Sequence, residues 1–157
     1  MKPIPCMFAI TLALLGALLP SLAGAQSVQT AQSRVDAIAW HTQPQDILQA
    51  LQQAEMDGTP VMIYFYAGET PDCQQMEENT FSDDDVQLLS EQFVCIRVDA
   101  GSAPGQRLMA QLGISGLPCV QFFNQNRKVN AVNGYEAPEA FIWDMRKALY
   151  SDLTATL

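Results

Sequence analysis

Seven consecutive uncharged residues, PVMIYFY at Pro60–Tyr66, constrain this chain more than any other stretch. The run is too short for a buried helix and apolar at both alternating sets of positions. It reads as a central strand covered on both faces. Such a strand needs neighbours beside it and layers above and below it, and the flanking sequence has the periods of both.

Upstream, VDAIAWHT at Val35–Thr42 reads as a first short strand. PQDILQALQQAEMDG then reads as a helix, with Pro44 in its first turn and Ile47, Leu48, Leu51 and Ala54 on one face. Asp57-Gly58 ends it. Downstream, a helix starts at about Pro71. A second helical piece follows, with Ser82 as N-cap and Asp83, Asp84 and Asp85 in its first turn, where the helix dipole favours acids. That acid run lacks the spacing and central glycine of a calcium loop. FVCIRVDA at Phe93–Ala100 is another strand, and PGQRLMAQLG is a short helix ended by Gly113. PCVQFFN and KVNAVNG are strands joined by the turn NQNR. The last helix runs from Pro138 to about Tyr150, with Phe141, Ile142, Met145 and Leu149 buried. The order β-α-β-α-β-α-β-β-α implies parallel pairs with right-handed crossovers and a terminal antiparallel hairpin.

The N-terminus reads as a leader. Lys2 precedes the apolar run Met7–Leu19, and Ala23-Gly24-Ala25 forms a small-x-small cleavage site before Gln26. We therefore expect a signal peptide over residues 1–25, an arm over 26–38, one domain over 39–151 and a tail over 152–157. The protein is then exported, to a periplasm or outside the cell. Past the leader, no apolar run is long enough to span a bilayer. The chain's net charge is −9, and losing Lys2 makes it more negative. A surface so acidic repels nucleic acid.

Cys6 lies in the leader, which leaves Cys73, Cys95 and Cys119. An odd number in an oxidising compartment leaves at least one thiol free or paired with another molecule. Cys95, in mid-strand, reads as core. His41 is the only histidine and has no cysteine at metal-ligand spacing, and no glycine-rich phosphate loop appears, so no metal or cofactor is assigned. Met56, Met62, Met76, Met109 and Met145 fall on apolar stripes and read as core.

The chemistry concentrates in YFYAGETPDCQQMEENTF, Tyr64–Phe81. Cys73 stands at the start of a helix. Thr70 is its N-cap, Pro71 the first helical residue and Asp72 the next. The Thr70 hydroxyl can accept from the Cys73 backbone N–H or donate to the sulfur. A helix N-terminus favours negative charge there, and Glu69 and Asp72 oppose it.

Together with LGISGLPCVQFF at Leu112–Phe123, this junction resembles the thioredoxin-like superfamily. Within it, the likeness is to the periplasmic thioredoxin-like domain of thiol:disulfide interchange protein DsbD and to related small exported thioredoxin-like proteins. The resemblance implies an α/β thioredoxin fold, with a central mixed sheet flanked by helices. It places Pro118 as a cis-proline in a loop opposite the helix start, with Leu117 beside it. Glu69, Leu117 and Pro118 are then partner-binding residues, and an extended segment of a partner protein, or a small thiol, lies there. Thr70 and Cys73 hold the positions of the family's two active-site cysteines. The family's pattern is Trp-Cys-x-x-Cys, whereas this chain has Glu69, Thr70 and Cys73. Its buried aspartate is replaced by Tyr64. Ordinary dithiol turnover needs an attacking and a resolving thiol, and this site has one sulfur.

Three functional readings follow. One is a monothiol redox role through Cys73, with Cys119 as a possible second thiol or a core residue. Another is a binding, chaperone or assembly module that keeps the groove without the chemistry. The third, minor one is a thiol peroxidase, because peroxiredoxins also carry Thr-x-x-Cys at this junction. Tyr66 stands where that family expects a proline, however, and Arg97 reads as structural.

Overall fold

The computed structural model describes residues 37–68 and 70–151. The leader, most of the arm, Glu69 and the tail lie outside the described residues. Five strands form one sheet in the order β1-β3-β2-β4-β5. They are β1 (Trp40–His41), β2 (Val61–Tyr66), β3 (Val94–Asp99), β4 (Cys119–Asn124) and β5 (Arg127–Asn133). Strands β1 and β2 both run parallel to β3, while β4 is antiparallel to both β2 and β5. The helices are α1 (Pro44–Asp57), α2 (Pro71–Gln75), α3 (Asp84–Ser90), α4 (Ala103–Leu112) and α5 (Pro138–Leu149). This is the expected mixed α/β architecture.

The apolar run places β2 at the centre of the sheet, and its residues alternate between two cores. Met62 and Tyr64 join Met76, Val86, Phe122, Phe141 and Met145 on the side of α3 and α5. Val61, Ile63 and Phe65 join Ala54, Ile96 and Cys119 on the side of α1 and α4. Because the side-chain period of a strand is two, one continuous apolar run supplies both layers.

Local signals set the element ends. Gly58 and Gly113 close α1 and α4 in the left-handed conformation, at φ 70° and 67°. Gln125 and Asn126 both have positive φ and make the two-residue turn between β4 and β5.

Four expectations need correction. The first strand is two residues long, not eight: Trp40 and His41 alone find partners, Cys95 and Ile96, on β3. The N-cap of α3 is Asp83, not Ser82. The Asp83 carboxylate accepts from the Asp85 and Val86 N–H groups, while the Ser82 hydroxyl donates to the Glu78 carbonyl. The stripe on α1 is only partly covered. Ala54 is buried and Ile47 packs on the core, but Leu48 is 60% exposed and Leu51 37%. Both leucines line a cavity between α1 and the end of β4. Met56 is 72% exposed, not core.

Helix α2 does not continue as regular α-helix. Met76–Thr80 form a π-helical turn, closed by the Phe81 N–H donating to the Met76 carbonyl at 2.9 Å. The Thr80 hydroxyl then donates to the Glu136 carbonyl, tying this turn to the loop before α5.

That loop carries a pH-sensitive carboxyl. Burial, and then the neighbouring Asp144 carboxylate, push Glu136 up to about 7. Burial also acts on Asp144, but hydrogen bonds from Lys147, Asn130 and Glu136 hold it below its usual range. The folded chain thus binds a proton at Glu136 that the unfolded chain releases in the ordinary carboxylate range. Stability from the Glu136 proton is complete below that range and is lost as pH rises through about 7. Glu136→Gln should therefore narrow the difference in urea midpoint between pH 5 and pH 8. An unchanged difference would show that the pair does not share a proton.

Candidate functional site

The site lies where β2 hands the chain to α2. Continuing the β2–β4 register, in which Phe65 faces Cys119, sets Pro118 opposite Tyr66. The peptide Leu117–Pro118 is cis, Pro118 is buried, and its carbonyl accepts from the Gly134 N–H at 2.8 Å. Leu117 and Ala67 share a cavity of about 350 Å³ with Met109 and Ile114, so the two loops meet over an apolar floor.

Thr70 occupies the N-cap position of α2, with φ −75° and ψ 136°. Its side chain does not cap: the hydroxyl donates to the Ala67 carbonyl at 3.4 Å. Neither expected use of that hydroxyl, accepting from the Cys73 N–H or donating to the sulfur, occurs. The Ala67 carbonyl also accepts the Thr70 N–H at 3.2 Å, so the residue is drawn back into its own turn. Thr70 is half-buried, and Cys73 is 1% exposed.

The sulfur of Cys73 has a polar neighbour. Tyr64, fully buried, lies near Cys73, and its hydroxyl donates to Glu77 Oε1 at 3.3 Å. Arg97 Nη2 donates to the same oxygen at 2.6 Å, and its guanidinium lies 4.1 Å over the Tyr66 ring. Burial, then the Cys73 and Glu77 charges, hold the Tyr64 phenol above its usual range, so it stays neutral.

The other two cysteines sit within strands. Cys95 meets only the Ser90 and Phe93 carbonyls, and burial pushes its thiol up to about 12. Cys119 packs on the α1–α4 side of the sheet, opposite the side that Tyr64 faces, and burial raises its thiol too. All three are free thiols. Cys119 is therefore not brought together with Cys73. Among the described residues, no group of three His, Cys, Asp or Glu could hold a metal ion, and no helix is long and apolar enough to cross a membrane.

Glu77 escaped the sequence reading, and Arg97 was assigned no role at the site. Glu77 lies four residues past Cys73, a spacing that does suggest one helix face. Arg97 reaches it only because the parallel register sets Tyr64 beside Arg97, which residue order does not show.

The sequence model of the family described as Thioredoxin-like matches residues 39–125. The chain belongs to the thioredoxin-like family. A thiol:disulfide interchange protein DsbD from Ralstonia nicotianae is 32% identical over 108 residues, which are 66% of this chain and 18% of that protein. The same-named protein of Salmonella typhimurium is 37% identical over 95 residues, 57% of this chain and 16% of its own length. The chain thus spans less than a fifth of these relatives. Among solved structures, a thioredoxin from Thermus thermophilus superposes with a TM-score of 0.62 at 27% identity, covering 73% of this chain and 88% of that one. A DsbH oxidoreductase superposes at 0.64, covering 81% and 94%. At 17% identity it supports the fold alone. The thioredoxin-like family and its thiol:disulfide relatives agree with the resemblance read from the two motifs.

Proposed function

We propose that this is an exported thioredoxin-like protein that acts through one thiol, Cys73. An extended segment of a partner, or a small thiol compound, binds through Glu69, Leu117 and cis-Pro118, next to Thr70. The Cys73 thiolate attacks a disulfide there. One new S–S bond forms to Cys73, the old one breaks, and the partner's second sulfur leaves as a thiolate. With Thr70 in place of a second cysteine, the mixed disulfide is resolved by an external thiol. One observation carries this reading. Of the three described cysteines, only Cys73 stands at a helix start rather than within a strand.

A second reading is a module that holds partners without exchanging disulfides. The 1% exposure of Cys73 favours it, since attack requires the sulfur to be uncovered. Complexes formed with a disulfide-bearing unfolded polypeptide, quenched with acid and run with and without reductant, separate the two. The monothiol reading predicts complexes that reductant dissolves and that Cys73→Ser abolishes. Complexes that survive both belong to the holding module.

A further inference from the structure

The outward face of α5 is not an ordinary solvent face. Phe141, Met145 and Ala148 are buried on its inner side. The outer side carries Trp143, 63% exposed, and Tyr150, 56% exposed. The Tyr150 N–H still donates to the Arg146 carbonyl at 3.0 Å, so helical spacing holds as far as that residue. Trp143, Arg146, Lys147 and Tyr150 are thus spaced i, i+3, i+4 and i+7 and form one stripe. Arg146 and Lys147 fill its middle, and both are exposed.

Charge singles out the same place. The chain carries −9, yet four of its eight Lys and Arg residues are Arg127, Lys128, Arg146 and Lys147. The fold gathers these two pairs. Asn124 faces Arg127 across the β4–β5 hairpin, and Asn124 Nδ2 donates to the Ala148 carbonyl at 3.2 Å. The hairpin end therefore abuts the last turn of α5. Lys147 bridges the Asp144 carboxylate, but its own side chain remains 48% exposed. Arg146 makes no ion pair among the described residues. Cations in the last turn of a helix complement its dipole, which accounts for Arg146 and Lys147 by themselves. It does not account for two large aromatic rings on either side of them.

Trp, Tyr and Arg together are the composition of the energetic centre of a protein interface. Two other occupants fit less well. An anionic membrane attracts a cluster of cations but repels a chain of charge −9. A second copy would bring a different, acidic surface to the stripe, and such head-to-tail contacts grow open chains unless the rotation closes. We propose that the outer face of α5 docks a partner protein that offers a shallow apolar groove rimmed by carboxylates. Trp143 and Tyr150 enter the groove as anchors one heptad apart, and Arg146 and Lys147 meet the carboxylates. Cys119, next to Pro118, and Asn124 are the two ends of the six-residue strand β4. A strand of that length spans about 17–20 Å. A partner held at the last turn of α5 therefore leaves the groove at Thr70 and Pro118 open, and docking does not involve the Cys73 thiol.

The test uses two synthetic amphipathic helical peptides, one of leucine and glutamate and one of leucine and lysine. Binding is measured by calorimetry and by the part of the tryptophan emission that Trp143→Phe removes. The leucine–glutamate peptide should bind, move that emission to the blue and bind more weakly as salt is added. Trp143→Ala should weaken binding about thirtyfold, the effect of a hot spot. Arg146→Glu should weaken it about tenfold, as one charge pair becomes a repulsion. Lys147 is left intact because it holds Asp144. Both variants change exposed side chains, so the urea midpoint should stay in place. Cys73→Ser should bind like the wild type, and loss of binding there would put the contact at the groove and overturn the proposal. Failure of the leucine–glutamate peptide to bind, equal binding of the lysine peptide, or stronger binding to phosphatidylglycerol vesicles would also overturn it. So would self-association in sedimentation that Trp143→Ala abolishes. So, too, would a rise in acrylamide quenching of Trp143 when residues 152–157 are removed, because the tail would then be the occupant.

Discussion

Gly105→Ala is expected to cost roughly 3 kcal/mol or more of folding stability, among the largest effects of any single methyl group added to this fold. Gly105 sits in the first turn of α4, where its N–H donates to the Ser102 hydroxyl at 3.0 Å. A Cβ there would fall 2.0 Å from the Asp99 carbonyl oxygen and 2.9 Å from its carbon. Both are backbone atoms, so no rotamer change relieves the clash. The Asp99 carbonyl is held in place, accepting from the Ser102 N–H at 3.2 Å and its hydroxyl at 2.7 Å. Either α4 shifts or the end of β3 does, and both border the apolar floor beneath Leu117. Gly113→Ala is the control. It has open space around it and a φ of 67°, so its cost is conformational, about 1 kcal/mol. Urea midpoints of the two variants decide the matter. Equal losses would mean that the Gly105 contact is relieved by a small adjustment.

Phe141→Ala should cost about 3–5 kcal/mol. Phe141 is fully buried and is the point at which α5 grips the sheet. Its ring meets Phe81 at 5.6 Å and Phe122 at 5.8 Å, and Phe81 in turn packs edge-on against Tyr64 at 4.8 Å. Removing it opens a cavity bounded by rigid aromatic rings and the sheet, with little able to collapse into it. Because Phe81 positions Tyr64, the Tyr64 hydroxyl should loosen as well. The measurement is the urea midpoint with an unchanged denaturant slope. A loss under 1 kcal/mol would show that α5 is held elsewhere.

Sequence pattern reveals those parts of this protein whose causes are local. PVMIYFY can only be a doubly covered strand, Gly58 and Gly113 stop their helices, and Gln125-Asn126 can make a tight turn. The motif pair around Thr70 and Pro118 located the site, since one fold brings those segments together. What escaped depends on relations across the sheet. Leu48 and Met56 have the right period for burial, but both stay exposed on α1. Ser82 and Asp83 are both good caps, and the π-helical turn after Met76 shifts the choice by one residue. Thr70 has the right chemistry to cap α2, yet its hydroxyl donates to the Ala67 carbonyl instead. The Tyr64–Glu77–Arg97 set needs the parallel register of β2 and β3 together with the helix after Cys73, and no single stretch contains that information.

The central claim is that Cys73, of the three described cysteines, does the work. The most direct test treats the folded protein with a disulfide-bonded model peptide in the absence of denaturant and maps the adduct by mass spectrometry. The account predicts one adduct, on Cys73, removed by reductant, with Cys95 and Cys119 unmodified until the chain is unfolded. An unmodified Cys73, or an adduct first on Cys119, would contradict it.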